Sequence, residues 1–311
     1  MDIGFLTVAL GNMEFSEKVK WAGKHGFSGL EVACWPKENT RDYSSTDIDV
    51  ENFTYDEAAK IKILLKEYHL RITSLAYYDN NLHPDKQIRE KNNMHVYRCI
   101  DVAELLGVPY VGTFIGRCPG KTVEQNFQMM EEIFLPMVEY AEKKKIGIII
   151  ENCQMENWQE PGLPGTISYS PELWDEMFRR IPNKNFGLNF DPSHLLIMGI
   201  DYLPLIQTYK DRIFHVHAKD AVVDRRKYQY YGCFNRQLGR ELSNGYWEYR
   251  IPGRGQVDFE AMIQELRLSG YDGILSIEHE DRLYEGDFQK VEKGLLLGQS
   301  FLEQIISDEI F

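Results

Sequence analysis

Eight times along this chain a short run rich in branched apolar residues is followed by a segment whose apolar positions recur at helical spacing. The runs cover 3–9, 29–33, 71–77, 110–115, 146–151, 187–191, 213–217 and 274–278. The helical segments cover 15–25, 55–68, 85–106, 123–145, 172–180, 202–210, 259–268 and 288–306. Few folds accept that order, because a strand, a helix and a second strand close most readily as a parallel crossover. The unit repeats at roughly thirty residues, the length of one βα step. Ile146-Gly147-Ile148-Ile149-Ile150 shows no polar alternation, which fits a strand buried on both faces. Gly26 and Gly107 are placed to close helices, and Ser170-Pro171 to open one. The expectation is an α/β chain folded as a (β/α)8 TIM barrel, a single domain over 1–311 with a lid-like insertion at about 222–255. A doubly wound open sheet is the alternative. It usually carries a glycine-rich phosphate turn after its first strand, where this chain has Gly11-Asn12-Met13.

Composition narrows the partners. The net charge of −13 repels polyanions, so neither nucleic acid nor an anionic membrane is expected to bind. No apolar run reaches the length of a membrane span. Met1-Asp2-Ile3-Gly4-Phe5 lacks the basic region of a signal peptide, and the five scattered cysteines form no C-x-x-C. Both point to the cytoplasm.

The sixth run, Gly187-Leu188-Asn189-Phe190-Asp191, stops at Pro192-Ser193-His194. Pro192 has no N–H for a sheet, so Asp191 stands on the rim and His194 can fold back over it. Such a pair is either a helix cap or two ligands of a metal site. In a barrel the active site forms at the C-terminal ends of the strands. There strand five ends in Glu151, strand six in Asp191, strand seven in His217 and strand eight in Glu278. Four adjacent strands each deliver a metal-type ligand to one rim, which favours a metal site. Three carboxylates and one imidazole suit Mn²⁺, Mg²⁺ or Co²⁺ better than a thiolate-seeking ion.

Glu151-Asn152, Asn189-Phe190-Asp191-Pro192-Ser193-His194, His215-Val216-His217-Ala218-Lys219-Asp220, Pro252-Gly253-Arg254-Gly255 and Ser276-Ile277-Glu278-His279-Glu280 carry a resemblance over essentially the whole chain. It is to the sugar phosphate isomerase/epimerase group of the xylose-isomerase-like (AP-endonuclease-2-type) TIM barrel superfamily. The resemblance implies a divalent ion, Mn²⁺ first and Mg²⁺, Co²⁺ or Zn²⁺ as alternatives, on Glu151, Asp191, His217 and Glu278. It implies that His194 touches a substrate oxygen and that Glu151 and Glu278 serve as base and acid. The activity implied is sugar isomerisation or epimerisation by proton abstraction next to a carbonyl through a metal-stabilised enediolate. A homo-oligomer acting on a small sugar or oxidised glycoside is the expected assembly. Two departures stand out. Ketose 3-epimerases carry a further glutamate after strand five, and here Glu156 is near while Asn157 holds the usual spacing. The insertion is also long and aromatic, with Tyr228, Tyr230, Tyr231, Tyr246 and Trp247. Both point to the alternative, a lyase on a 3-oxo-glycoside resembling the catalytic subunit of C-glycoside deglycosidases, which works with a second subunit. DNA-repair endonucleases share the scaffold but need extra histidines from earlier strands, where this chain has Tyr77 and Thr113 to Ile115.

Other residues carry two readings each. Lys219 and Arg254 are either substrate contacts or ordinary surface cations, and Glu156 is a candidate substrate contact. His215 points to the same face as His217 one layer deeper, and is read as a core histidine before a ligand. Glu31 reads as a buried polar contact inside the barrel and His279 as structural, while Glu280 has inward parity without an assigned role. Cys153 is inward but lacks a base partner in sequence. Trp158 and His83 are candidate pocket residues on rim loops.

Overall fold

The computed structural model describes residues 1–41, 43–156, 158, 160, 162–233 and 245–307, with Tyr231 described by its backbone alone. Asn157 and the Tyr231 side chain therefore lie outside the described residues, as does part of the expected lid. In chain order the strands are β1 (Asp2–Leu6), β2 (Gly29–Ala33), β3 (Arg71–Asn80), β4 (Tyr110–Phe114), β5 (Gly147–Glu151), β6 (Phe186–Phe190), β7 (Ile213–Ala218), β8 (Asp220–Val223), β9 (Trp247–Arg250) and β10 (Ile274–Ile277). Eight of them close a parallel barrel in the order β1-β10-β7-β6-β5-β4-β3-β2. The open-sheet alternative is thereby excluded. The helices are α1 (Phe15–Lys24), α2 (Tyr55–Glu67), α3 (Lys86–Leu106), α4 (Val123–Lys143), α5 (Pro171–Arg180), α6 (Pro192–Ile197), α7 (Leu203–Thr208), α8 (Arg225–Tyr231), α9 (Phe259–Leu268) and α10 (Phe288–Ser307).

Local chemistry explains most boundaries. Thr54 with Glu57, and Thr122 with Gln125, form capping boxes that start α2 and α4. Gly107 ends α3 in the left-handed region at φ +75°. β5 and β6 are buried at every position, as runs without polar alternation require. Ser170 takes the N-cap position of α5 but makes no side-chain capping bond.

Three boundaries differ from the sequence reading. β1 stops at Leu6 rather than residue 9, and Thr7–Leu10 forms a 3₁₀ turn. The buried Lys18 ammonium donates to the Thr7 carbonyl at 2.9 Å, and the Thr7 hydroxyl accepts from Ala33 N–H at 3.0 Å. Those bonds replace ladder bonds and bend the chain over the rim. β3 runs on through Asp79-Asn80, polar residues that read as loop. The Asn80 amide donates to the Arg117 carbonyl at 2.8 Å, and Asn80 pairs with Phe114 beyond an irregularity in the ladder. The insertion begins at Asp220, and β8 and β9 pair in it as an antiparallel ribbon.

Asp220 anchors that ribbon. Its carboxylate accepts from the backbone N–H groups of Ala221 at 2.8 Å, Gly253 at 3.1 Å, Gly255 at 2.7 Å and Val257 at 2.9 Å. A Cβ on Gly255 would stand 2.2 Å from the Asp220 oxygen, so this position takes glycine.

Candidate functional site

Parallel strands all finish on one rim, so the last inward residue of each strand faces a common centre. Glu151 is the final residue of β5, His217 lies near the end of β7, and Glu278 directly follows β10. Asp191 directly follows β6 and is the N-cap of α6. Glu151, Asp191, His217 and Glu278 each offer one ligand atom, all within 4.8 Å of one another. The four side chains are buried.

Asp191 resolves the choice between cap and cluster by doing both. One oxygen accepts from Ser193 N–H at 2.7 Å and from the Ser193 hydroxyl at 2.6 Å. The other, Oδ2, accepts no hydrogen bond and faces the cluster. Asn152 fixes the backbone there, because its side chain exchanges two 2.8 Å bonds with the Asp191 N–H and carbonyl. Glu278 Oε2 is buried as well, 3.0 Å from His217 Nδ1 and 2.7 Å from the Lys219 ammonium. Three buried carboxylates and an imidazole converging on one point, with Asp191 Oδ2 accepting no hydrogen bond, fit a divalent cation.

The imidazole is oriented from behind. His217 Nε2 lies 2.8 Å from Glu31 Oε2, while Nδ1 lies 3.1 Å from Glu151 Oε1 and 3.0 Å from Glu278 Oε2. Glu31 also accepts from the Tyr78 hydroxyl at 2.5 Å and the Ser276 hydroxyl at 3.0 Å. Burial raises the Glu31 pKa, but His217 and His215 outweigh it and bring it down to about 2. The ionised Glu31 therefore holds the proton on Nε2 and turns Nδ1 to the cluster, an arrangement typical of metal-binding histidines. His215 is a core histidine: Nδ1 meets Asn189 Oδ1 at 2.9 Å and Nε2 meets the Thr73 hydroxyl at 3.1 Å. Burial lowers its pKa to about 4, so it is neutral at physiological pH.

Positive charge is drawn to the centre. Burial lowers the His217 pKa, yet Glu31 and Glu278 raise it well above the usual imidazole range. Burial also lowers that of Lys219, and Glu278, Glu280 and Asp191 raise it again. The Lys219 ammonium stands 2.7 Å from Glu278, 3.1 Å from Glu280 and 3.3 Å from Asp191. Glu151 is held below the usual carboxylate range because His194 and His217 overcome its burial. His194 Nε2 points into the same centre, 3.3 Å from Glu151 Oε1 and 3.5 Å from Asp191 Oδ2, while Nδ1 contacts the Tyr249 hydroxyl at 3.0 Å.

A cavity of about 440 Å³ opens onto this cluster, lined among others by Glu151, His194, Lys219, Glu278, Glu280 and Tyr249. Trp158, Cys153 and Glu156 also line it, and Glu156 is shared with an adjoining cavity. Burial pushes the Cys153 thiol up, so it is a poor nucleophile. Two expected residues are not brought here. Arg254 is exposed in the turn that Asp220 anchors, and His83 sits in the turn before α3, where its ring accepts from Asp85 N–H. Of the lid aromatics, Trp247 lines the cavity, Tyr246 is buried against Tyr228, and Tyr230 is exposed. Tyr249 was not anticipated, although it alternates with Trp247 along β9. Glu31 carried a signal of its own: a lone charge inside an apolar run.

The model of the xylose isomerase-like TIM barrel family matches residues 19–305. Over 330 aligned residues the chain is 23% identical to the uncharacterized protein YfiH of Bacillus subtilis, covering 99% of this chain and 100% of that one. It is 33% identical to the inosose dehydratase of Lacticaseibacillus casei over 94 residues, 30% of each chain. The 3-keto-D-glucoside 4-epimerase YcjR of E. coli shares the fold, with a TM-score of 0.69 at 15% identity over 98% of this chain and 99% of that one. The match over 19–305 spans every barrel strand from β2 to β10, and on that ground the chain belongs to the xylose isomerase-like TIM barrel family.

Proposed function

We propose that this protein is a divalent-metal-dependent carbohydrate isomerase or epimerase that removes a proton next to a carbonyl. The observation that carries the reading is the convergence of Glu151, Asp191, His217 and Glu278, whose ligand atoms lie within 4.8 Å of one another. These four would hold the ion, with Mn²⁺ the first choice for this oxygen-rich donor set. The ion would supply the positive charge that stabilises developing negative charge on the substrate oxygens. Glu151 and Glu278 both line the cavity and are the candidate base and acid of the proton transfer. His194 Nε2, anchored through Nδ1 on Tyr249, is placed to touch a substrate oxygen. Lys219 is a second polar contact in the cavity, and Glu156 a third at its wall.

The lyase reading rests on one further observation. Glu280 and Lys219 form an additional acid–ammonium pair, 3.1 Å apart, on the cavity wall beside the cluster. Such a pair is suited to protonate a departing group after the same initial deprotonation. The names borne by relatives, a dehydratase and an epimerase of an oxidised glucoside, bracket the two outcomes.

The test is metal content on protein purified without chelator, followed by solvent-deuterium exchange into ketoses and 3-oxo-glycosides. About one ion per chain, lost in Asp191→Ala, with label entering a substrate of retained skeleton, is expected for the epimerase. Loss of a fragment would identify the lyase. Failure to bind Mn²⁺ even when it is added would remove the proposal.

A further inference from the structure

We infer that the substrate carries an anionic group, a carboxylate or a phosphate, and that Arg41 on the loop between β2 and α2 reads it. The inference rests on the carbohydrate reading above and narrows its substrate class.

Arg41 lines the catalytic cavity. Its guanidinium carbon lies 4.6 Å from the Trp158 ring centroid and 5.8 Å from that of Phe114. One N–H donates to the Tyr78 carbonyl at the end of the barrel. Aromatic contacts and that bond hold the fork in place and strip water from its faces. A guanidinium has five N–H donors, and among the described residues only one finds an acceptor, the Tyr78 carbonyl. Arg41 forms no ion pair with any described carboxylate, in contrast to Lys219, which is surrounded by them. Of the two cations that line this cavity, Lys219 is met by carboxylates and Arg41 by none among the described residues. A held fork with free donors is the group that recognises a planar carboxylate or a phosphate through paired bonds.

The loop shows a second mark of use. Tyr43, two residues on, also lines the cavity, and its hydroxyl is buried without a partner. Its φ is +51°, in the left-handed region that a bulky side chain rarely adopts. Both place a polar group against whatever fills the cavity.

The experiment uses the Mn²⁺-loaded full chain and three probes: D-fructose, its 6-phosphate, and 5-keto-D-gluconate. Calorimetric affinity is measured for wild type, Arg41→Met and Arg41→Lys. At least one anionic probe is expected to bind about tenfold or more tighter than fructose, since a charge-assisted bond adds to the shared sugar contacts. Arg41→Met should erase that preference, Arg41→Lys should restore part of it, and neither should change fructose affinity by more than about twofold. Whether the phosphate or the carboxylate shows the larger Arg41-dependent effect identifies the anion. Absence of any Arg41-dependent difference overturns the inference. Deuterium exchange on the same samples separates the two proposals. Exchange without an anion preference leaves the enolising activity standing and sinks the anion site. An Arg41-dependent preference without exchange does the reverse.

Discussion

At the scale of single residues, the side chain with most leverage over the cluster is one that does not belong to it. Glu31 sits behind His217, fixes the proton on Nε2 and is itself held by Tyr78 and Ser276. An amide at this position keeps the volume and part of the bonding but loses the charge that pins the tautomer. Glu31→Gln is therefore expected to fold normally and to bind Mn²⁺ about 10- to 100-fold more weakly. Calorimetric titration of the metal, with a thermal melt as control, reads both effects. Unchanged Mn²⁺ affinity would show that His217 needs no such orientation. In the sequence Glu31 was visible as a buried charge, yet its partner was not. Its partner His217 lies 186 positions away and meets it only after the barrel closes.

At the scale of elements, what could be read in advance follows from how each element is specified. Strand-end residues were legible because a closed parallel barrel collects them whatever the loops do; Glu151, Asp191, His217 and Glu278 needed only the strand count. Helix ends were legible where a glycine or a capping side chain marks them, as at Gly107 and Asp85. Arg41, Tyr249 and the engagement of Lys219 with Glu280 depend on loop paths that no periodicity encodes. The Pro252–Gly255 segment illustrates the difference. It resembles a family motif and invites a substrate role for Arg254, but the close approach of Gly255 to Asp220 gives the motif a structural reason. Asp220 alone satisfies four backbone N–H groups that hold the β8–β9 ribbon on the barrel. Asp220→Ala would leave those donors without their acceptor, and we expect a loss on the order of 3 kcal/mol. Hydrogen exchange should rise at Gly253, Gly255 and Val257 while the amides of β5 and β6 stay protected. Uniform loosening of the whole barrel would show that the ribbon is not a separately anchored unit.

At the scale of the molecule, the cluster makes stability depend on what occupies it. Three buried carboxylates converge on one point, and His217 and Lys219 answer them only in part. Like charges held together out of water oppose folding unless a cation compensates them. A cation that binds the folded chain and not the unfolded one adds RT ln(1 + [M]/Kd) to stability, about 2.7 kcal/mol at a hundredfold excess over Kd. The denaturation midpoint of the wild type should therefore climb with the logarithm of free Mn²⁺ and fall back on chelation. Glu278→Gln removes one of the converging charges together with a donor. In chelator it should melt below wild type, because the buried Lys219 and His217 lose an ion-pair partner, and added Mn²⁺ should raise its midpoint far less. The two titration curves then separate with rising Mn²⁺, the wild type gaining the greater stability. A wild-type midpoint indifferent to Mn²⁺ would mean that Lys219 and His217 already neutralise the cluster, and that the barrel keeps its carboxylates together without an ion.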